Sequence, residues 1–217
     1  MRVLVIDTAL DACTAAVFED GRVVGLRSEV MARGHSERLG GFVRDAVAEA
    51  GGGFEALDRI GVTVGPGSFT GLRVGLAFAQ GLGAALGLPV VGVSTLAALA
   101  WSADGGQGKT AAAIDARRGQ VYLQLFETGH PASEPEAVSL EEAVARLAEG
   151  GRSWRVTGSG SSLVGGEASL QTAPDPAALA TLTAALDPAT HPPRPLYLRA
   201  PDATPPTRLP GQARPAA

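Results

Sequence analysis

The sequence predicts an α/β fold assembled from two related lobes, and three observations carry that expectation. Strand-like apolar segments alternate with helix-length segments along most of the chain. An Asp-terminated strand recurs: Val5-Ile6-Asp7 and Ala113-Ile114-Asp115 each pass through a short polar turn into a strand that closes on Phe-Glu, at Phe18-Glu19 and Phe126-Glu127, with the same offset in both copies. Self-similarity at about half the chain length implies two lobes and not a solenoid, whose repeats are far shorter. The third observation is Gly65-Pro66-Gly67-Ser68-Phe69-Thr70-Gly71-Leu72-Arg73, which follows the apolar run Ile60 to Val64 and reads as strand, tight turn and helix.

Taken in order, Val3 to Ile6, Cys13 to Phe18 and Val23 to Ser28 alternate as three antiparallel strands, with Asp20-Gly21 as a hairpin signal. Residues 35–50 place Leu39, Phe42, Val43, Ala46, Val47 and Ala50 on one helical face. The Ile60 strand follows, then a helix over 71–87, a short strand at Val90 to Val93, and a helix opened by Ser94-Thr95. In the second half, strand and hairpin recur over 110–127. A proline-rich loop at 129–136, a helix near 140–148, a strand near 154–157 and a helix near 177–186 complete a shorter, degenerate copy. The chain thus divides into an N-terminal lobe (1–105), a smaller C-terminal lobe (106–200) and a proline-rich tail (201–217) whose composition predicts disorder.

An apolar content of 45% is enough to bury a real core. A net charge of -4 and a pI near 5.4 leave no electrostatic footprint for nucleic acid, so any RNA-related role is expected to be indirect. The lone Cys13 excludes an intramolecular disulfide and fits a reducing cytoplasm. Met1-Arg2 leads straight into a strand, too short a start for a secretory signal. No charged residue falls between Val74 and Ala103, a length able to span a bilayer, but Gly87 and Pro89 divide the run into helix, strand and helix, and no membrane role is expected.

Gly71, Gly75, Ala79, Gly83 and Gly87 recur with a period of four and form one stripe along a helix. Interior glycines cost roughly 1 kcal/mol each relative to alanine, so the stripe is a packing surface that lets another backbone approach. The same segment fails three catalytic templates. Arg73 stands in place of a P-loop lysine and the glycine gap is too long; Thr70 replaces the third glycine of a dinucleotide fingerprint; Pro66 replaces the first glycine of a hydrolase elbow around Ser68.

Three strands, helix, strand, helix, made twice, resembles the ribonuclease-H-like duplication of the actin-like superfamily (ASKHA), which holds actin, sugar kinases and Hsp70 ATPases. Within it the chain closely resembles the TsaB (YeaZ) family. The matching residues are Ile6-Asp7-Thr8, His35-Ser36-Glu37, Gly65 through Leu76, Ser94-Thr95-Leu96, Asp115-Ala116-Arg117-Arg118-Gly119-Gln120-Val121-Tyr122 and Tyr197-Leu198-Arg199, so the resemblance covers about residues 2–200. One departure is Leu39-Gly40-Gly41, where the family tends to continue with Leu and Pro.

The resemblance implies a non-catalytic subunit for threonylcarbamoyladenosine formation in tRNA. Such a subunit pairs with the catalytic paralogue TsaD through its two N-terminal helices, is joined by the ATPase TsaE, and meets tRNA only through the complex. It implies no cofactor of the chain's own, leaving open a nucleotide at the partner interface and a homodimer of the free protein. The expected partner surface combines His35, Leu39, Phe42, Val43 and Ala46 of the first helix with Gly71, Gly75, Ala79 and Gly83 of the second. The alternative is that both faces are consumed internally.

Asp7 and Asp115 occupy positions that, in nucleotide-binding relatives, face phosphates and Mg²⁺ across the cleft between lobes. Neither Thr8-Ala9-Leu10 nor Ala116-Arg117-Arg118 is a glycine-rich phosphate loop, so Asp7, Thr8, Asp115 and Arg117 read as a vestigial cleft, with Arg117 expected to pair with Asp7 or Asp115 across it. Gly158-Ser159-Gly160 only faintly resembles an adenosine loop. The paralogue's metal-binding H-x-x-x-H pair has no counterpart, because Leu39 follows His35 four residues on and His130 and His191 sit in separate proline-rich segments. The rival functions are a metal-dependent peptidase, opposed by the missing H-x-x-x-H pair, and an ATP-dependent sugar or acyl kinase, opposed by the missing phosphate loops.

Overall fold

The computed structural model describes residues 1–149, 153–167, 169, 171 and 173–199; the proline-rich tail at 201–217 lies outside them. The first sheet contains β1 (Arg2–Asp7), β2 (Ala12–Glu19), β3 (Arg22–Val30), β4 (Arg59–Gly65) and β5 (Val90–Ser94) in the order β3-β2-β1-β4-β5. β1, β2 and β3 are antiparallel neighbours, while β4 runs parallel to both β1 and β5. The three antiparallel strands expected from the sequence thus stand beside two parallel ones in a single mixed sheet. The β2–β3 turn has Asp20 and Gly21 both at positive φ, 47° and 79°, which matches the twist of the flanking strands.

Strand alternation divides the apolar residues between two faces. Leu4, Ile6, Ala15, Val17, Ile60 and Val62 pack beneath α1 (His35–Ala50) and α2 (Phe69–Leu86). Val3, Val5, Ala16, Phe18, Val91 and Val93 pack on the other side against α5 (Pro176–Ala185) and Ala98 of α3 (Thr95–Asp104). The uncharged run beginning at Val74 is thus divided into α2, β5 and α3. By length and composition α2 could cross a membrane, but its inner side lies on the first sheet.

The second sheet repeats the plan in reduced form. β6 (Lys109–Arg117) and β7 (Gln120–Glu127) form the hairpin, β10 (Arg155–Thr157) runs parallel to β6, and the short strands β8 (His130–Pro131) and β9 (Glu136–Ser139) both pair with β7. α4 (Leu140–Ala148) covers this sheet, with Ser139 capping it by accepting from the Glu142 amide. The two halves interlock. Leu96, Leu99 and Ala100 of α3 pack on Ala112, Ile114 and Phe126 of the second sheet, while α5 returns to the first. Arg59 secures that return by donating to the carbonyls of Thr183, Ala184 and Leu186 at the C-terminal end of α5.

The contact between α2 and the end of β1 sets the geometry of everything above it. A Cβ on Gly71 would lie 2.0 Å from the Thr8 carbonyl oxygen, and one on Gly75 would lie 2.4 Å from Thr8 Oγ1. Thr8 Oγ1 in turn donates to the Gly71 carbonyl at 2.8 Å. Helix and strand end meet backbone to backbone. Gly71→Ala and Gly75→Ala should therefore destabilise the fold by about 1–3 kcal/mol through overpacking, although alanine is the better helix former. Gly41→Ala should have the opposite sign, a gain of up to about 1 kcal/mol, because a Cβ there meets nothing within 4 Å. Urea-unfolding midpoints at unchanged slope distinguish the two.

Candidate functional site

Two surfaces can carry function: the cleft between the lobes and the exposed side of the α1–α2 pair. The cleft, about 290 Å³, is enclosed by Ala9, Leu10 and Asp11 after β1, by the Gly67-Ser68 turn, and by Ile114 through Arg117, Tyr122 and Ser159 of the second lobe. Asp115 presents its carboxylate there and is neutralised locally. One oxygen accepts from the Arg117 amide at 2.8 Å, and the other pairs with the Arg117 guanidinium at 3.2 Å. The side chain of Arg117 is 84% exposed, so this pair joins neighbours of one hairpin and does not bridge the lobes as expected. Arg117, Arg118 and Gly119 all have positive φ, a tight left-handed turn at the lip of the cleft.

Asp7 and Thr8 lie beneath the cleft, each only 1% exposed. Thr8 is engaged with α2. Asp7 Oδ1 accepts from Thr63 Oγ1 at 2.7 Å and from the Ala9 amide at 3.0 Å, while Oδ2 has no hydrogen-bond partner. Burial pushes the Asp7 carboxyl above its ordinary value, and the bonds from Ala9 and Thr63, with the His35 charge, only partly oppose it. The structure thus brings Asp115 and Arg117 together at the cleft surface and leaves Asp7 and Thr8 under it. Gly158-Ser159-Gly160 packs against β6. The Gly160 amide donates to the Ala113 carbonyl, Ser159 Oγ accepts from the Asp115 amide, and a Cβ on Gly158 would lie 2.4 Å from the Ala113 oxygen. Those glycines serve close packing. Among the described residues, no three His, Cys, Asp or Glu side chains cluster to hold a metal ion.

The expected partner surface requires correction. His35, Leu39, Phe42, Val43 and Ala46 are all buried, and the four apolar ones belong to the core over the first sheet. Gly71 and Gly75 face Thr8, Ala79 is fully buried, and a Cβ on Gly83 would lie 2.3 Å from Val90 Cγ2. All nine residues face inward, so the stripe is internal packing. His35 Nε2 is also buried without a partner.

The period of four was legible but its side was not. Two residues along a helix is roughly half a revolution, so the row Phe69, Arg73, Ala77, Gly81 and Ala85 lies opposite the glycine stripe and is exposed throughout. A Cβ on Gly81 meets nothing within 4 Å, as at Gly41 on α1, and Gly40 meets only the Phe78 ring edge at 3.7 Å. Polarity is the sequence signal that separates the rows: Arg73 stands in the outer one, and no charged residue stands in the inner one.

The duplicated sheets, exchanged helices and interlobe cleft define a two-lobed α/β protein. Known proteins narrow that class. The family described as "TsaD: tRNA N6-adenosine threonylcarbamoyltransferase" matches residues 19–162. The tRNA threonylcarbamoyladenosine biosynthesis protein TsaB of Escherichia coli (strain K12) is 37% identical over 167 residues, 74% of this chain and 72% of that protein. A structure of YeaZ from Pseudomonas aeruginosa is similar with a TM-score of 0.75 and 32% identity, covering 91% of this chain and 99% of that one. A stretch of 73 residues, 34% of this chain, is 49% identical to 20% of the tRNA N6-adenosine threonylcarbamoyltransferase of Ruegeria sp. (strain TM1040). The chain belongs to the TsaB (YeaZ) family.

The buried Asp7 makes a signed prediction. Below the unfolded carboxylate value both states are protonated and the full contribution of the neutral acid is present. As pH rises towards the raised folded value, the folded chain holds the proton that the unfolded chain releases, and stability is lost through that window. Asp7→Asn can keep both acceptor bonds at Oδ1 and removes this loss. The stability of the variant relative to the parent should therefore increase as pH rises above the unfolded carboxylate value of about 4, as measured by urea unfolding of both proteins.

Proposed function

We propose that the protein is the TsaB-type subunit of the machinery that forms threonylcarbamoyladenosine in tRNA, and that it acts in the cytoplasm as a scaffold without catalytic residues of its own. The observation that carries this reading is the similarity to E. coli TsaB over nearly three quarters of the chain. The partner is a TsaD-type threonylcarbamoyltransferase, with a TsaE-type ATPase joining the pair and tRNA reached through the complex. A nucleotide, where the assembly holds one, belongs to the interface with the partner. The cleft supports the scaffold role, since its Asp115 is tied to Arg117 and its Asp7 is sealed below the surface.

The docking face in this reading is the outer side of α1 and α2. Gly40 and Gly41 on one helix, with Ala77, Gly81 and Ala85 on the other, offer surfaces without long side chains, against which two helices of a partner can approach closely. The free chain can use the same face for a homodimer, since self-complementary helix pairs build two-fold contacts.

The test is a binding titration against the TsaD-type partner combined with thermal melting. Gly81→Leu and Ala77→Leu should weaken the partner complex by about ten- to a hundredfold, the equivalent of an overpacking penalty of about 1–3 kcal/mol, at unchanged melting temperature. Gly75→Leu should instead lower the melting temperature. Unchanged affinity in both outer-row variants would move the interface elsewhere. Reconstituted threonylcarbamoyladenosine formation that proceeded equally well without the protein would overturn the functional reading itself.

A further inference from the structure

The stretch His191 to Arg199 belongs to neither sheet, yet it connects both lobes. Pro192, Pro193 and Pro195 fix φ along it and favour an extended form, so the segment has little conformational freedom to lose on docking. Its attachments to the first lobe are successive. The His191 carbonyl accepts from the Gly92 amide at 2.8 Å, the Pro193 carbonyl accepts from Gln80 Nε2 at 2.6 Å, and the Leu196 amide donates to the Val64 carbonyl at 2.7 Å. Tyr197 turns outward, where its hydroxyl accepts from Arg73 Nε at 3.3 Å and its ring lies 5.4 Å from that of Phe69. The fit is close at two glycines. A Cβ on Gly92 would lie 2.6 Å from the Pro192 oxygen, and one on Gly65 would lie 2.9 Å from the Leu196 oxygen.

Beyond Tyr197 the segment changes lobes. Leu198 packs against the apolar cluster of Leu96, Leu99 and Ala100 of α3 with Ile114 and Phe126 of the second sheet, which Leu10 and Tyr122 also join. Arg199 then donates to the Ala116 carbonyl at 2.9 Å and to the Gln120 side-chain oxygen. Those two residues flank the left-handed Arg117-Arg118-Gly119 turn at the second-lobe lip. Charge-assisted bonds from one planar guanidinium to two acceptors fix position and orientation together, and a lysine cannot reproduce that fork.

We propose that residues 191–199 are a latch: a proline-stiffened strap, seated on the first lobe, whose terminal Leu198 and Arg199 hold the second-lobe lip and set the angle between the lobes. In a two-lobed protein that closes around a ligand, the ligand makes this bridge. Here the chain's own C-terminal segment makes it, and the lobes stay closed with the cleft free. The latch does not depend on the identity of any partner, so it can fail while the scaffold reading stands.

The test measures the distance between the lobes in the full chain. Ala48→Cys on α1 and Val144→Cys on α4 place exposed thiols on opposite lobes for spin labels. Cys13 does not compete, being buried with its thiol pushed up to about 11. The labelled parent should give one narrow distance distribution by double electron–electron resonance. Arg199→Ala and Arg199→Lys should broaden it, and amides of the 116–121 hairpin should exchange with solvent about tenfold faster or more. If Arg199→Ala does not fold, Arg199→Lys and Gln120→Ala carry the same readout. An unchanged distribution in the folded variants overturns the latch, even with faster exchange, because Arg199 would then only brace the hairpin locally.

Discussion

The closeness of α2 to the end of β1 is the constraint on which the rest of the structure depends. With Gly71 and Gly75 seated on Thr8, the helix axis lies low over the sheet, and the turn before it is drawn in as well. The Ser68 amide donates to the Ala9 carbonyl at 2.7 Å, and a Cβ on Gly67 would lie 2.2 Å from that same oxygen. Three glycines and one threonine thus lock the strand end, the turn and the helix start into one unit. Ser68 then caps the helix through the Gly71 amide. A side chain at Gly71 or Gly75 would lift α2, tilt its outer row and open the first-lobe wall of the cleft together. A helix with so many glycines is poor by propensity and is stable only because this packing compensates it.

Duplication explains the architecture but not its details. In the first hairpin Phe18 faces Val3, four residues before Asp7; in the second Phe126 faces Thr110, five residues before Asp115. The register has slipped by one. The irregularity between Asp115 and Arg117, with its left-handed turn, accompanies the slip. A one-residue slip changes which residues stand opposite each other, so two copies of one sequence pattern no longer present equivalent surfaces. Asp7 is sealed and Asp115 is only half-buried, although they match in the sequence repeat: Asp7 ends β1, while β6 runs two residues past Asp115.

Elements with strong periodicity were legible in the sequence. α1 and α4 fall on the residues that their patterns mark, and Gly87, Pro89 and Ser94 punctuate the long apolar run as turn and cap residues should. The three antiparallel strands of the first sheet followed from strand alternation. What a helix period cannot say is which of two opposite rows meets the sheet, and there the glycine stripe was assigned to the wrong side. The short strands β8 and β9 carry too few residues for a pattern, and β8 arises within a stretch that reads as loop. The latch was illegible for a different reason: several of its bonds use backbone amides and carbonyls, which every residue has, and the side chains that take part, Gln80, Arg73, Tyr197, Gln120 and Arg199, are scattered along the sequence.

The same physical logic governs the two ends of the cleft. Proteins that grip a ligand between lobes leave acceptors and donors open to it, and those groups are satisfied only when it arrives. Here the corresponding groups are already matched within the chain. Asp115 has Arg117, Thr8 has the Gly71 carbonyl, the Asp115 amide has Ser159, and the Ala116 carbonyl has Arg199. Each bond is worth only about 1 kcal/mol, but each engages a group that lines or underlies the cleft. Asp7 Oδ2 is the exception, and it lies too deep to be reached. In the scaffold reading proposed above, the outer sides of α1 and α2 are then the face through which the protein acts on others.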